Sequence, residues 1–144
     1  MYLLDTDVVS ELRRAKAGEA DPHVVAWAAS MSVASLFLSA ITVLELELGV
    51  LRIEHRDSVQ GAILRAWLEE QVLPAFSGRI LPVDTAVARR CAKLRVPDPC
   101  SERDALIAAT ALTHGLIVAT RNGADFQPTG VETLNPWTFD IPLA

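Results

Sequence analysis

Cysteine is almost missing from this chain. Cys91 and Cys100 are its two cysteines, and they form no CxxC pair and have no histidine cluster beside them in sequence. They read as reduced structural thiols, not as a disulfide framework or a redox motif. Lysine is equally scarce, at Lys16 and Lys93 alone, and the net charge is −5. That balance argues against an extended basic surface for nucleic acid. It does not argue against a nuclease whose metal ions meet the phosphate. No apolar run is long enough to cross a bilayer. The opening Met1-Tyr-Leu-Leu-Asp5 reaches a carboxylate at once and lacks the basic start of a signal peptide. A cytoplasmic protein with no membrane contact is expected.

What is present is aliphatic. The 144 residues are 51% hydrophobic but only 6% aromatic, and 22% are charged. This length suits one domain over residues 1–144, with a core that needs neither disulfide nor structural metal. The charged fraction excludes long disorder. A mean hydropathy of +0.28 is high for a domain that is not in a membrane. Surplus apolar surface of this kind marks a partner site.

Short apolar runs alternate with stretches of helical period. Strands are expected at Tyr2-Leu-Leu, Leu36-Phe-Leu-Ser39, Ile80 to Val83, Leu116 to Thr120 and, at an edge, Val131 to Leu134. Helices are expected from Asp7 to Arg14, from Pro22 through Trp27, and from about Thr42 to Leu51. Others run from Asp57 to Leu73, where Pro74 and Gly78 end the segment, and from Asp84 to Leu94. A last one spans Glu102 to His114 and is closed by Gly115. Val96-Pro-Asp-Pro-Cys100 is a rigid loop. There is no internal repeat. The alternation implies an α/β fold, a parallel sheet of about five short strands between helical layers.

In such a sheet the functional crevice lies beyond the carboxyl ends of the strands. The acidic residues fall there. Asp5 closes strand one, Glu45 sits in the first turn of the helix after strand two, and Asp104 opens the helix leading into strand four. Asn122 and Asp125 follow strand four. Each has a structural reading. Thr42-x-x-Glu45 and Ser101-x-x-Asp104 resemble capping boxes, and Asp5 can cap the next helix. Their joint placement is what points to chemistry. Crowded carboxylates repel unless a hard cation joins them. Mg²⁺ or Mn²⁺ there can activate water for a phosphoryl displacement. Asp5 is the hardest to dismiss, since an acid ending an apolar strand is costly to bury.

Five segments, in order along the chain, resemble PIN-domain toxins of the VapC/FitB type. They are Leu3-Leu-Asp-Thr-Asp-Val-Val-Ser-Glu-Leu-Arg13, Leu38-Ser-Ala-Ile-Thr-Val-Leu-Glu-Leu-Glu-Leu-Gly49, Asp104-Ala-Leu-Ile-Ala-Ala-Thr-Ala111, Val118-Ala-Thr-Arg-Asn122 with Asp125-Phe126, and Asn135-Pro-Trp137. The resemblance implies a three-layer α/β/α sandwich and an endoribonuclease that uses Mg²⁺ or Mn²⁺. It also implies a toxin dimer held in check by a cognate VapB-type antitoxin, with RNA as substrate. The family's acidic site falls on Asp5, Glu45 and Asp104, and Thr6 and Thr120 match positions lining it. The common family opening has Asn where this chain has Asp7, an added charge near the metal or only a better N-cap. The fourth acidic position lies between Asn122 and Asp125, with Asp125 favoured because it alone is charged.

Two other functions fit parts of the sequence. Asp5-Thr-Asp7-Val-Val9 after an apolar strand matches the opening of HAD-like phosphatases, with Asp5 as nucleophile. That family also needs a downstream lysine and a late acidic pair, and this chain has no adjacent Asp-Asp. A non-catalytic module that only binds an antitoxin is the other alternative, opposed by the retained Asp5, Glu45 and Asp104. Arg121 can hold an RNA phosphate or be an ordinary surface arginine. Glu47 is expected to be solvated, and His23 and His55 have no evident partner. His114 suits a helix C-terminus. The three tryptophans read as core or interface anchors.

Overall fold

The computed structural model describes residues 1–97 and 99–142. Asp98, within the expected Val96–Cys100 loop, is outside the described residues. Five parallel strands form the sheet: β1 (Tyr2–Leu4), β2 (Leu36–Ser39), β3 (Ile80–Leu81), β4 (Ile117–Ala119) and β5 (Thr133–Leu134). Their order is β3-β2-β1-β4-β5. β1 is central, with Leu3 paired to Phe37 on one side and to Val118 on the other.

The strand period of two sorts side chains onto the two faces. Leu4, Leu36, Leu38 and Ala119 face one layer, where they meet Val8 and Val9 of α1 (Thr6–Arg13) and Val24 and Trp27 of α2 (Pro22–Ser30). Leu46 and Val50 of α3 (Ala40–Arg56) complete that side, along with Leu68 and Val72 beyond α4 (Ser58–Trp67). Leu3 and Val118 face the other layer, against Ile107, Ala108 and Ala111 of α7 (Glu102–His114) and Phe126 of α8 (Gly123–Phe126). Behind α7 lies α6 (Thr85–Leu94), packed through Val87 and Cys91 onto Ala105 and Ala109. Both faces are thus covered, as a parallel sheet requires. Full burial of a side chain such as Phe126 stabilises the fold by about 2–3 kcal/mol.

Several boundaries differ from the sequence expectation: β3 stops at Leu81, not Val83, and β5 starts at Thr133, not Val131. α3 starts at Ala40, because Ser39 at the end of β2 caps it, its Oγ accepting from the Ile41 N–H at 3.0 Å. Thr42 is therefore a buried interior residue, Thr42-x-x-Glu45 is not a capping box, and Glu45 lies in the second turn. The helix from residue 58 also passes Pro74. A π-helical stretch, Leu68–Val72, leads into α5 (Leu73–Ala75), where Pro74 occupies an opening position that needs no N–H donor. Asp7 is not an N-cap, since Asp5 holds that position on α1. Gly115, at φ 67°, ends α7 in the left-handed conformation and turns the chain into β4.

Two glycines separate packing from freedom. A Cβ on Gly61 would sit 2.5 Å from Glu54 Cα, so α3 and α4 can approach this closely only through glycine. Gly49, in mid-α3, is exposed, and a Cβ there would meet nothing within 4 Å. Glycine at such a position costs about 1 kcal/mol of helix stability relative to alanine. No described helix is long and apolar enough to cross a membrane.

Candidate active site

Asp5 leaves β1 at the centre of the sheet and begins α1. Its backbone N–H donates to the Ala119 carbonyl at 2.9 Å. Its Oδ1 accepts from the Thr6 N–H and its Oδ2 from the Thr120 hydroxyl, both at 2.8 Å. The side chain is only 8% exposed. Burial raises its pKa above the ordinary carboxylate value, the two hydrogen bonds oppose this, and the charge of Asp125 adds to the rise. The structural reading and the chemical one therefore coexist: Asp5 caps a helix and is also a costly buried acid.

The other carboxylates gather around it. Asp104, in the first turn of α7, has a pKa raised by burial and by the charges of Asp5, Asp125 and Glu45. Its backbone N–H donates to the Ser101 hydroxyl at 3.5 Å. Glu45 Oε1 accepts from the Thr6 hydroxyl at 2.9 Å, and Arg103 Nη1 stands 3.8 Å from Glu45 Oε2. Asp7 is half-buried. Burial and the Asp5 charge push its pKa up to about 6, against the Arg121 backbone N–H and guanidinium. Asp7 Oδ2 accepts from that N–H at 3.0 Å and from Asn122 Nδ2 at 3.3 Å, whereas Oδ1 is buried with no hydrogen-bond partner.

The turn after β4 is held by Thr120, whose hydroxyl accepts from the Asn122 N–H at 3.0 Å. Asn122 thus faces Asp7 through its amide. Asp125 is exposed on α8, its N–H bonded to the Asn122 carbonyl at 3.0 Å. The Arg121 guanidinium lies over Trp137, 5.0 Å from the ring centroid. Glu47, expected to be solvated, has a side chain 42% exposed and also pairs with Arg65 at 2.6 Å. His23 has a partner after all, Nδ1 lying 2.8 Å from the Phe139 carbonyl oxygen. Among the described residues no three His, Cys, Asp or Glu side chains stand close enough together to hold a metal ion as they are placed. What the fold creates is an acidic crevice whose members feel one another's charge, with donors fixing some oxygens and leaving others open. Arg103 escaped the sequence reading; its place beside Asp104 at a helix start was the available signal.

The PIN domain model matches residues 2–130. The chain belongs to the PIN-domain family. It is 42% identical over 142 residues to toxin FitB of Neisseria gonorrhoeae, covering 95% of this chain and 99% of that protein. It is 40% identical over 142 residues to the VapC ribonuclease Y4jK of Sinorhizobium fredii, covering 95% and 98%. Among solved structures, FitAcB of Neisseria gonorrhoeae superposes with a TM-score of 0.87 at 40% identity, over 96% of this chain and all of that one. The DNA-bound VapBC of Salmonella typhimurium shares the fold, with a TM-score of 0.73 at 23% identity. These PIN relatives displace the phosphatase reading of Asp5-Thr-Asp7.

Proposed function

We propose that this PIN domain is a metal-dependent endoribonuclease and the toxin of a type II toxin–antitoxin pair. The observation that carries the reading is the gathering of Asp5, Glu45, Asp104 and Asp125 at the carboxyl ends of β1, β2 and β4, around a buried acid with a raised pKa. The donor set fits a hard divalent cation. It is all oxygen, and beside it lies an orphaned buried carboxylate oxygen, Asp7 Oδ1. Asp5, Glu45, Asp104 and Asp125 would hold Mg²⁺ or Mn²⁺, with Asp7 beside them. When bound, the ion supplies an activated water and neutralises charge on the phosphate.

The chain's own residues prepare that site. Thr6 and Thr120 orient Glu45 and Asp5 by donating to one oxygen of each. The N-termini of α1 and α7 lend partial positive charge to Asp5 and Asp104. Arg121, anchored on Trp137, stands at the rim.

The partner reading rests on relatives named for toxin and for complexes, FitB and FitAcB, and on apolar surface. A groove of about 270 Å³ is lined by Val9, Leu12, Trp67, Val72 and Phe76. It suits an amphipathic segment of a VapB-type antitoxin. Leu44, Leu51, Val59 and Ile63 are exposed on α3 and α4 and suit a homodimer. A non-catalytic antitoxin-binding module remains the rival reading. The deciding experiment incubates the purified chain and Asp5→Asn with structured RNA and Mn²⁺, then with EDTA, and with a phosphomonoester as control. Metal-dependent RNA cleavage by the native chain alone supports the proposal. Phosphate release from the monoester, or no cleavage of RNA, overturns it.

A further inference from the structure

A second groove, of about 380 Å³, begins at the acidic site and leads away from it between α1, α3 and α4, with Thr6 and Glu45 among its lining residues. On α3 the residues facing it include Glu45, Gly49, Arg52 and Arg56, spaced as successive turns of one helical face. Arg13 forms the opposite wall, its guanidinium 5.9 Å from the centroid of Trp67. The groove is therefore acidic at the site and carries guanidinium groups further on, with Leu46, Val50, Ile53 and Leu64 as apolar lining between them. Among the described residues, Arg13, Arg52 and Arg56 enter no ion pair, while Arg65 nearby is committed to Glu47, Glu54 and Glu69.

Gly49 is the second observation. Glycine weakens a helix interior, and here no neighbour requires it, since an added Cβ meets nothing within 4 Å. Gly61 shows the opposite case, where the protein's own packing excludes a side chain. At Gly49 the space is open toward the groove. A backbone that comes close to α3 from outside gives the missing side chain a purpose.

We propose that this groove carries the RNA strand on one side of the scissile phosphate, with Arg52, Arg56 and Arg13 on its phosphates and Gly49 as the point of closest approach. This rests on the ribonuclease reading above. Guanidinium groups suit phosphate oxygens through paired N–H donors. The groove departs from the place where the bound ion would meet the scissile phosphate, so a strand entering the site has neighbouring phosphates to place. The groove on the far side of the Arg13–Trp67 wall lacks the Arg52–Arg56 row and is left for a protein partner.

The test uses the full chain. Binding is read by fluorescence anisotropy with a fluorescein-labelled single-stranded RNA on the non-cleaving Asp5→Asn protein, and cleavage is read on the native background. Arg52→Gln with Arg56→Gln should weaken RNA binding about tenfold or more. It should also flatten the log–log dependence of affinity on salt by about 1.4, as expected for two lost single-strand phosphate contacts. Gly49→Ala should raise the melting temperature yet weaken RNA binding and raise KM. A purely structural glycine would not separate these two effects. Unchanged affinity and salt slope in the double variant overturns the proposal. So does polyglutamate binding the native groove as tightly as RNA, since the surface would then serve an acidic polypeptide. If the native chain cleaves no RNA but binds it through Arg52 and Arg56, the ribonuclease reading falls and the groove assignment stands.

Discussion

The Thr120 hydroxyl donates to Asp5 Oδ2 at 2.8 Å, joining residues 115 positions apart. The same hydroxyl accepts from the Asn122 N–H, so one threonine fixes the carboxylate and the turn after β4. Asp5→Asn keeps this geometry, because an amide can still accept from Thr6 and can donate to Thr120. The variant is expected to lose RNA cleavage by several orders of magnitude while melting at or above the native temperature without metal. Asp5→Ala, by contrast, should lose the cap and about 1 kcal/mol of stability. Near-native cleavage by Asp5→Asn, checked on gels, would remove Asp5 from the mechanism.

The acidic crevice makes stability fall as pH rises. Asp7 titrates at about 6 in the fold, against an ordinary 3.8. Below the lower value it is protonated folded or unfolded, and its burial has no charge to hold. Between the two the folded chain keeps a proton that the unfolded chain has lost, so stability declines through this window and levels off above it. Asp5 and Asp104 shift in the same direction. After allowance for solvent screening, Asp7 accounts for about 1 kcal/mol. Thermal melts of metal-free protein should show this decline, Asp7→Asn should lessen it, and saturating Mg²⁺ should offset it. A stability that rises across the window would contradict the picture.

Asp125 reaches the site through its charge on Asp5 and Asp104. Asn122 turns its amide to Asp7. Asp125→Asn should therefore weaken metal affinity and slow cleavage, less than Asp5→Asn does. Asn122→Asp should set a second carboxylate against Asp7 and lower metal-free stability. A Mn²⁺ titration of cleavage rate decides between them. If Asp125→Asn equals the native chain and Asn122→Ala is inactive, the fourth position belongs to Asn122.

Gly61→Ala places a Cβ against the backbone of α3. A cost of about 1–3 kcal/mol is expected from the forced separation of α3 and α4. Chemical denaturation measures it, and a cost below that of an ordinary surface substitution would show that the hairpin can open freely.

Much of this was legible because local chemistry and global topology agree. Asp84 and Ser101 cap their helices and Gly115 ends α7 where sequence places them, and Asp5 was marked by an acid following an apolar run. What escaped depends on residues far apart. Ser39 outcompeted Thr42 as a cap because the strand turns into the helix without a loop. Asp7 looked like a cap or a bare charge, yet its partners are the Arg121 N–H and the Asn122 amide across the sheet. The pairing of Glu47 with Arg65 needs the α3–α4 hairpin, whose close contact turns on Gly61.

Because β1 is the central strand, with β2 on one side and β4 on the other, Asp5 is made long before the strand that completes its surroundings. Asp5 meets Thr120 only after more than a hundred further residues have been made. At ordinary rates of synthesis this interval is on the order of ten seconds. Throughout it the Asp5 carboxylate lacks its Thr120 donor. The acidic crevice is thus a late product of translation, complete only once the turn after β4 has been made.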